Sequence, residues 1–324
     1  MKKDSAAENA GKKSSKKKTP LYKSFFLYGA VIIVLLLVAS GVWLISLWDQ
    51  VHVALPGDNS PVPVSEKERD PSLPDILNVL ILGLDSRDPA SRTDTLLVLS
   101  LNRVNGEINI MSIPRDMRVN IPGYGMDKIN HAYAFGGISL CMEAVEGFLD
   151  IDVDHYMTTD FEGFINIVDV LGGIELEVEK KMRYYGIDVT IELDPGLQHL
   201  DGAKALQYVR FRSDEEADFG RVRRQQQFLK TFLQEIITFK NILQVPRLLP
   251  EIADNIKTDL GLEQALELAN KLKNVDIEQI NTFTLPGVPR KIDGISYVVP
   301  DEKEIRYLVD SYVKGIETKQ SRGD

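Results

Sequence analysis

An uncharged apolar run near the N-terminus is the feature that most limits how this chain can fold. The run covers residues 25–48 and reads FFLYGAVIIVLLLVASGVWLISLW. As a helix it would be about 36 Å long at 1.5 Å per residue, enough to cross a hydrocarbon core of roughly 30 Å. The sequence therefore predicts one transmembrane helix, with the segments before and after it on opposite sides of a membrane.

The charges that flank this run predict its orientation. Residues 1–24 hold eight lysines and two acidic residues, a net charge of +6, and Asp49 follows the run. Because positive flanks stay in the cytoplasm, we expect a cytoplasmic basic tail and a large C-terminal part outside the cell membrane. A signal peptide cleaved near Ala39–Gly41 is the alternative, but its apolar core would be longer than the usual 7–15 residues.

Composition divides the remainder into a linker, a domain and a tail. Residues 49–75 contain five prolines and little apolar pattern, which indicates an extracellular linker. Residues 76–316 form the predicted domain, and residues 317–324 a flexible tail.

The chain carries a net charge of −10, or −16 without its basic tail, which argues against nucleic-acid binding. Its one cysteine, Cys141, excludes an intrachain disulfide, so the domain must depend on its core.

Strand and helix patterns alternate through the domain. Short apolar runs at 78–83, 95–101 and 107–113 indicate buried strands, the last two joined by a turn. Helical patterns cover 138–149, 161–171, 201–209 and 218–239. Further strands are predicted near 174–178, 189–193, 280–285 and 296–299, and further helices near 245–255, 262–273 and 301–314. The order predicts a single extracellular α/β/α domain with a mixed central sheet.

Five arginines between residues 210 and 224 are unusual in so acidic a chain. Three of them fall in the first turns of the predicted 218–239 helix, where the helix dipole disfavours cations unless an anion binds. At 100° per residue, Arg221 and Gln225 share the apolar face of this helix, whereas Arg223 and Arg224 point elsewhere. We therefore predict a pocket for a multiply charged phosphate ligand, because guanidinium groups bind phosphate in a bidentate manner.

Two points about this segment stay open at the level of sequence. The arginines could instead form a solvated charge run balanced by nearby acids, an alternative that is stronger for Arg223 and Arg224 than for Arg221. Arg210 and Arg212 would share a face if their segment is extended, and would point apart if it is helical.

Two carboxylates follow and precede neighbouring predicted strands. Asp85 ends the first buried run and Asp94 precedes the second, in loops where α/β proteins gather their ligands. Magnesium prefers one or two carboxylates together with phosphate oxygens and water, so the pair fits the metal half of a phosphate site. Ordinary turn chemistry is the alternative for either residue. Arg115 closes the third predicted strand and is a further candidate phosphate ligand.

Several common catalytic signatures are missing from the sequence. The glycine-rich stretch ending in Lys128 does not have the GxxxxGK[ST] pattern, and no GxSxG serine elbow is present. The four histidines are scattered without metal-ligand spacing, which makes a zinc site unlikely.

Five segments in this order resemble the LytR-CpsA-Psr family of membrane-anchored enzymes of Gram-positive envelopes. They cover residues 78–239 and read NVLILGLDSRD, SRTDTLLVLSL, INIMSIPRDMRVNIPGYGMDKINHAYAFGG, VDHYMTTDFEGFINIVDVLGGIELEV and LDGAKALQYVRFRSDEEADFGRVRRQQQFL. One departure is Ala217, where the family commonly has glycine. The resemblance implies transfer of a glycan-phosphate, such as teichoic acid, capsule or another wall polymer, from a polyprenyl-pyrophosphate carrier to a peptidoglycan hydroxyl.

The resemblance also implies roles for particular residues. Asp85 and Asp94 would hold magnesium, for which manganese could substitute. The pyrophosphate ligands would be Arg115, Arg210, Arg212, Arg221 and Gln225, and the residues expected to act in catalysis are Asp85, Asp94, Arg115 and Arg221. Asp85 could also accept the hydroxyl proton. The polyprenyl tail needs an apolar groove, which could be supplied by Phe161, Phe164, Ile165, Val168, Phe228 and Phe232, although each alone is more typical of an ordinary core.

Two other functions remain as alternatives. A membrane protein that binds polyprenyl lipids for a regulatory purpose would look similar, but it would not need the two carboxylates. A lipid pyrophosphatase would use water in place of the peptidoglycan hydroxyl. A DNA-binding regulator is disfavoured, since about 24 cytoplasmic residues are too few for a folded domain.

Overall fold

The computed structural model describes residues 75–85, 93–186, 189–214, 217–238, 255–261, 264, 267–268, 270–271 and 279–316. The predicted cytoplasmic tail, transmembrane helix and C-terminal tail lie outside these residues, as do the linker apart from Asp75 and the helix predicted near 245–255 apart from Asn255. Within the described ranges, no helix has the length and apolar character needed to cross a membrane.

The elements of this part of the chain alternate between strands and helices. The strands are β1 (Ile76–Leu84), β2 (Thr93–Asn102), β3 (Ile108–Ser112), β4 (Arg118–Ile121), β5 (Gly125–Lys128), β6 (His155–Asp160), β7 (Ile174–Val178), β8 (Met182–Tyr185), β9 (Thr190–Leu193), β10 (Gly196–Leu200), β11 (Lys257–Thr258), β12 (Asn281–Thr284), β13 (Gly287–Ile292) and β14 (Ile295–Pro300). The α-helices are α1 (His131–Leu149), α2 (Phe161–Val170), α3 (Gly202–Arg210), α4 (Ala217–Thr238) and α5 (Glu302–Leu308), the last continued by a π-helical turn at Val309–Val313.

Six of the strands form one central sheet in the order β11-β6-β1-β2-β3-β12. β1 and β3 both run antiparallel to β2, whereas β6 is parallel to β1 and β12 is parallel to β3. The mixed sheet predicted from the sequence is therefore confirmed.

The two faces of the central sheet pack against different helices. Leu80 and Leu82 of β1 point into a core that also contains Cys141 and Val145 of α1. Val79 and Ile81, which alternate with these leucines along β1, point to the opposite face, where Leu229 of α4 packs. Because side chains alternate along a strand, burial of both faces explains why β1 to β3 read as continuous apolar runs. The arrangement agrees with the predicted α/β/α class.

A second core lies among the elements that follow β6. It contains Leu176 of β7, Ile191 of β9, Ala205 and Tyr208 of α3 and Phe228 of α4. Asp201 caps helix α3, because its carboxylate accepts a hydrogen bond from the Lys204 amide. A Cβ at Gly202 would overlap the carbonyl of Ile165, so glycine allows α2 and α3 to pack closely.

Most predicted elements are confirmed, but α1 starts earlier than predicted. Its observed start is His131, while the sequence pattern indicated a helix only from residue 138. Gly136 and Gly137 have non-helical φ/ψ values of −148°/19° and 65°/−155°, so the helix is kinked there. The glycines break the periodicity and hide the first segment of the helix. β9 and β14 confirm the strands predicted near 189–193 and 296–299, but their partners β8 and β13 and both strands of the β4–β5 hairpin were missed, because short, largely exposed strands carry little apolar pattern.

Candidate functional site

One cavity of about 960 Å³ lies between the central sheet and helices α2, α3 and α4. Its interior is apolar and includes Val79 and Ile81 of β1 and Leu97 and Leu99 of β2, which belong to the sheet face that α4 covers. At one end of the strands the lining becomes polar and charged. The volume is at the upper end of the roughly 300–1,000 Å³ that ligand pockets occupy. The cavity can therefore take a large, mainly apolar ligand with a charged head.

The structure brings all seven predicted site residues to this cavity. They are Asp85, Asp94, Arg115, Arg210, Arg212, Arg221 and Gln225. Asp85 follows β1, Asp94 lies at the start of β2 and Arg115 follows β3. The remaining four residues come from the end of α3, the loop after it and the first turns of α4.

A β-bulge places Asp94 beside the end of β1. Gly83 pairs with Thr95 and Leu84 pairs with Thr93, which leaves Asp94 as the extra residue between the two pairs. Bulges turn a side chain away from the regular pleat, and here the turned side chain reaches the cavity mouth. The Nη1 atom of Arg115 lies 2.5 Å from Oδ1 of Asp94, in a charge-assisted hydrogen bond.

The carboxylate pair meets the requirements of a magnesium ion only if a ligand completes the site. Asp85 and Asp94 line the same cavity. Asp85 follows the last residue of β1 and Asp94 lies at the start of the antiparallel β2, so both are at the same edge of the sheet. Across the residues that the structure describes, no group of three or more histidine, cysteine or acidic side chains could hold a metal ion by itself. Two carboxylates with phosphate oxygens and water form a coordination shell that magnesium accepts. The residues therefore fit magnesium bound together with a phosphate ligand.

The geometry after α3 resolves the open question about Arg210 and Arg212. Arg210 is the last residue of α3, and the following Phe211 is extended, with φ −62° and ψ 130°. Both arginines line the cavity although only one is helical. The guanidinium carbon of Arg210 lies 4.6 Å from the ring centroid of Phe161, so this aromatic residue supports a cation at the mouth.

Arg221 and Gln225 lie one helical turn apart on the cavity side of α4, as the helix-face argument predicted. Arg221 is only 7% exposed, and Nε2 of Gln225 donates a hydrogen bond of 3.4 Å to the carbonyl of Val209. A nearly buried arginine at a cavity mouth is a strong anchor for a phosphate group, because little water competes for it.

Arg223 and Arg224 have other partners. Arg223 is exposed and lies 3.1 Å from a carboxylate oxygen of Glu179. Arg224 is completely buried, and its guanidinium donates to Glu179 at 3.1 Å, to Asp214 at 2.9 Å and to the carbonyl of Phe211 at 2.8 Å. The alternative of a solvated charge run is wrong for Arg224, since its guanidinium is fully buried between the nearly buried carboxylate of Asp214 and the partly exposed one of Glu179. Arg224 fixes the segment after α3 against α4, and so positions the cavity arginines.

The acids around Arg224 titrate below their usual range. Burial alone would raise the pKa of Glu179 and of Asp214, but hydrogen bonds and charge from Arg224, with help from Arg223 and Lys180, lower both below their ordinary values of 4.5 and 3.8. A carboxyl whose pKa is lowered by folding stabilises the fold above its ordinary pKa. That contribution is lost as the pH falls through the lowered value.

Replacing Arg224 with methionine is expected to lower the free energy of unfolding by about 3 kcal/mol at pH 7, because it removes a fully buried guanidinium and leaves the nearly buried carboxylate of Asp214 without its closest cationic partner. Urea unfolding of the full chain from pH 7 downwards measures this effect. In the wild type, the free energy of unfolding contributed by the Glu179 and Asp214 carboxylates should fall only when the pH drops below their ordinary pKa values of 4.5 and 3.8. In Arg224→Met this decrease with pH should be smaller. Equal stability of the two proteins at pH 7 would contradict the positioning role.

Five of the six aromatic and aliphatic residues expected to bind a lipid tail line the cavity. These are Phe161, Phe164, Val168, Phe228 and Phe232, and Ile165 is not among the lining residues. Phe164, Phe228 and Phe232 also form a row of ring contacts, with centroids 5.0 and 5.7 Å apart. These three rings therefore serve both purposes: they pack in the second core and they line the cavity.

Four polar residues at the mouth were not predicted as site residues: Asp116, Lys128, Asn130 and His131. The Nζ atom of Lys128 lies 2.7 Å from Asp116, and Nδ1 of His131 lies 2.9 Å from Oδ2 of Asp127. Burial alone would raise the pKa of Asp127, but hydrogen bonds from His131 and the Lys128 amide lower it. The lysine that ends the glycine-rich stretch was the available signal.

Cys141 has no catalytic environment. Cys141 is fully buried in the core beneath α1, and burial raises the pKa of its thiol to about 12. Arg87, Arg92 and the side chain of Asp218, which carry further charges of the resembling segments, lie outside the described residues.

Comparison with known proteins gives a consistent result. The LytR_cpsA_psr family model matches residues 56–312. A protein of Oceanobacillus iheyensis named polyisoprenyl-teichoic acid--peptidoglycan teichoic acid transferase TagU is 33% identical over 304 residues, covering 90% of this chain and 93% of that protein. The crystal structure of Bacillus subtilis TagV has a TM-score of 0.66 and 28% identity, covering 75% of this chain and 99% of that one. A structure described as TagT bound to LI-WTA has a TM-score of 0.64 and 28% identity, covering 81% and 99%.

Proposed function

The chain belongs to the LytR-CpsA-Psr family, and on that basis we propose that it transfers a glycan-phosphate from a polyprenyl-pyrophosphate carrier to a peptidoglycan hydroxyl. The Oceanobacillus iheyensis relative is named a teichoic acid transferase, so teichoic acid is the polymer class we infer for the donor. The observation that carries the proposal is the single cavity in which an apolar interior opens into a mouth of arginines and carboxylates.

The donor lipid matches the two parts of this cavity. We infer that its polyprenyl tail lies among the apolar side chains between the sheet and α2 to α4. Its pyrophosphate would then reach Arg115, Arg210 and Arg221 at the mouth, where guanidinium forks neutralise the phosphate oxygens. Burial of the tail supplies binding energy, and the mouth orients the reacting phosphorus.

The proposed reaction forms one phosphorus–oxygen bond and breaks another. The acceptor hydroxyl oxygen bonds to the phosphorus that carries the glycan, and the bond from that phosphorus to the bridging oxygen breaks. Polyprenyl phosphate leaves with the bridging oxygen, and the hydroxyl proton passes to a carboxylate, for which Asp85 is the candidate. The arginines stabilise charge on the leaving oxygen. Magnesium held by Asp85 and Asp94 would withdraw further charge from the phosphate oxygens.

We also propose that the chain is anchored in the cell membrane by residues 25–48, with residues 1–24 in the cytoplasm and the domain outside. The support is the apolar run with its basic flank. This arrangement would put the domain on the side where the peptidoglycan acceptor lies.

Product analysis tests the proposed function directly. The full-length chain in detergent is incubated with a polyprenyl-pyrophosphate-linked saccharide, magnesium and soluble peptidoglycan fragments, and the products are identified by mass. Peptidoglycan joined to the saccharide through one phosphate is the expected product. Release of saccharide phosphate without a conjugate would indicate a pyrophosphatase, and bound donor that stays intact would indicate a lipid-binding protein.

Filling the cavity should discriminate against long donors. Leu229→Trp adds bulk on the α4 wall of the cavity, and it is expected to raise KM for a long-chain donor about tenfold, since each excluded CH₂ group forfeits about 0.8 kcal/mol. A donor with a short, water-soluble chain should be little affected. Leu197→Trp is the control, because Leu197 is 68% exposed on β10 and does not line the cavity. Equal effects of Leu229→Trp on both donors would contradict this placement of the tail.

A further inference from the structure

A pair of exposed aromatic rings lies beside the cavity mouth. Tyr124 lies in the turn between β4 and β5, and Phe135 lies in the first segment of α1, before its kink. Their rings are stacked, with centroids 4.5 Å apart and planes 15° apart. Tyr124 is 57% exposed and Phe135 is 41% exposed, so each ring keeps an open surface. We call Tyr124 and Phe135 together the aromatic platform.

The platform is continuous with the polar mouth of the cavity. The imidazole ring of His131 meets the ring of Phe135 edge-on, with centroids 5.7 Å apart. His131 and the nearby Lys128 also line the cavity. A ligand that covers the platform would therefore extend towards Arg115 and Asp94 without leaving the surface.

Core packing does not account for the exposure of these rings. Neither ring belongs to the core cluster beneath α1, which contains Cys141, Met142 and Val145. Gly137, with φ 65°, allows α1 to kink after Phe135, a conformation that an L side chain would rarely adopt. The first segment of the helix thus buries Ala132 in the core while Phe135 stays on the surface.

We propose that the aromatic platform binds a sugar ring of the acceptor glycan, and this inference rests on the proposed transfer to peptidoglycan. The C–H face of a pyranose is weakly positive, and an aromatic ring has a negative face and a rigid apolar surface. The arrangement suits a chain of sugars, since one pyranose on the platform would direct its neighbour towards the mouth.

Polar groups at the inner edge of the platform complement this ligand. The Asp127 carboxylate holds Nδ1 of His131 at 2.9 Å, which orients the imidazole and leaves Nε2 as the nitrogen that faces other groups. Sugar hydroxyls both donate and accept hydrogen bonds, so His131 and Lys128 can contact them while the platform covers the apolar face. A donor pyrophosphate, in contrast, is expected at the arginines on the other elements of the mouth.

The test uses the full-length chain with a soluble peptidoglycan oligosaccharide as acceptor and a polyprenyl-pyrophosphate-linked saccharide as donor. Tyr124→Ala and Phe135→Ala are each expected to raise KM for the acceptor about tenfold, as loss of a central aromatic contact does. KM for the donor and the rate of donor hydrolysis without acceptor should stay unchanged. Tyr124→Phe keeps the ring and should behave like the wild type.

Matched variants separate binding from folding. Tyr185→Ala removes an aromatic residue that is 69% exposed on another hairpin and does not line the cavity, and it should leave both KM values unchanged. If Tyr124→Ala lowers the melting temperature, KM for the acceptor is measured with Tyr124→Leu instead, because leucine keeps most of the packing volume but removes the aromatic ring. If the folded variants keep the wild-type KM for the acceptor, or if their KM for the donor rises equally, the proposed role of the platform is wrong. The proposed transferase function would not be affected by that result. Absence of transfer by the wild type would overturn the proposed function and the platform with it.

Discussion

Asp94→Asn is expected to abolish transfer, with kcat/KM lowered about 10³-fold, a loss of the size seen when one transition-state contact is removed. The substitution keeps the shape of the side chain but removes the charge that holds Arg115 at 2.5 Å and that would ligate magnesium. Two groups that contact the phosphate would therefore be displaced together. The measurement is product formation over a series of magnesium concentrations.

The control for this prediction is Asp75→Asn. Asp75 immediately precedes β1, at the opposite end of the strand from Asp85, and its carboxylate pairs with Arg103 on the surface. We expect this variant to retain wild-type activity, because its charge is remote from the cavity. Transfer by Asp94→Asn at the wild-type rate would show that the carboxylate is only a structural partner of Arg115.

Arg221→Ala should have the second large effect, a loss of about 10²–10³-fold in kcat/KM. Arg221 is nearly buried at the mouth, so removal of its guanidinium leaves phosphate charge that water cannot easily compensate. Addition of guanidinium ion is expected to restore part of the activity, since the vacated space suits that group. Steady-state kinetics with the donor varied measures both effects.

Arg223→Ala is the matched control, because Arg223 lies on the same helix but pairs with Glu179 on the exposed side. This variant should keep kcat/KM for the donor. Circular dichroism and thermal unfolding show whether α4 survives in each variant. Equal losses of activity in the two variants, or unfolding of Arg221→Ala, would indicate that the arginines act through the fold and not through the donor.

The sequence revealed the residues of the site better than their surroundings. Spacing and helix geometry were sufficient to place Arg221 and Gln225 on one face, and the apolar runs of β1 and β2 placed Asp85 and Asp94 near each other. The bulge that turns Asp94 outward depends on the pairing of two strands, and no local pattern records it. The ends of most predicted elements were right to within a few residues, apart from the start of α1. A phosphate pocket and an apolar groove were both expected, but their union in one cavity depends on how the elements pack.

The burial of Arg224 also could not be predicted from local sequence. By helix geometry it points away from Arg221, and in the sequence it is one of five similar arginines. Its complete burial depends on Glu179, which is 45 residues away in the chain. The platform residues Tyr124 and Phe135 were also hidden, because their stacking requires a hairpin and a kinked helix to meet. Long-range contacts thus decide which charged and aromatic residues act at the surface and which act inside.

A crystal structure of the chain with a polyprenyl pyrophosphate and magnesium would test the central claim most directly. The account predicts the prenyl chain between the sheet and helices α2 to α4, beside Phe164 and Phe228, with the pyrophosphate against Arg115 and Arg221. Asp85 and Asp94 would be the residues that hold the magnesium ion. A prenyl chain bound outside this cavity, or a pyrophosphate that leaves these arginines uncontacted, would contradict it.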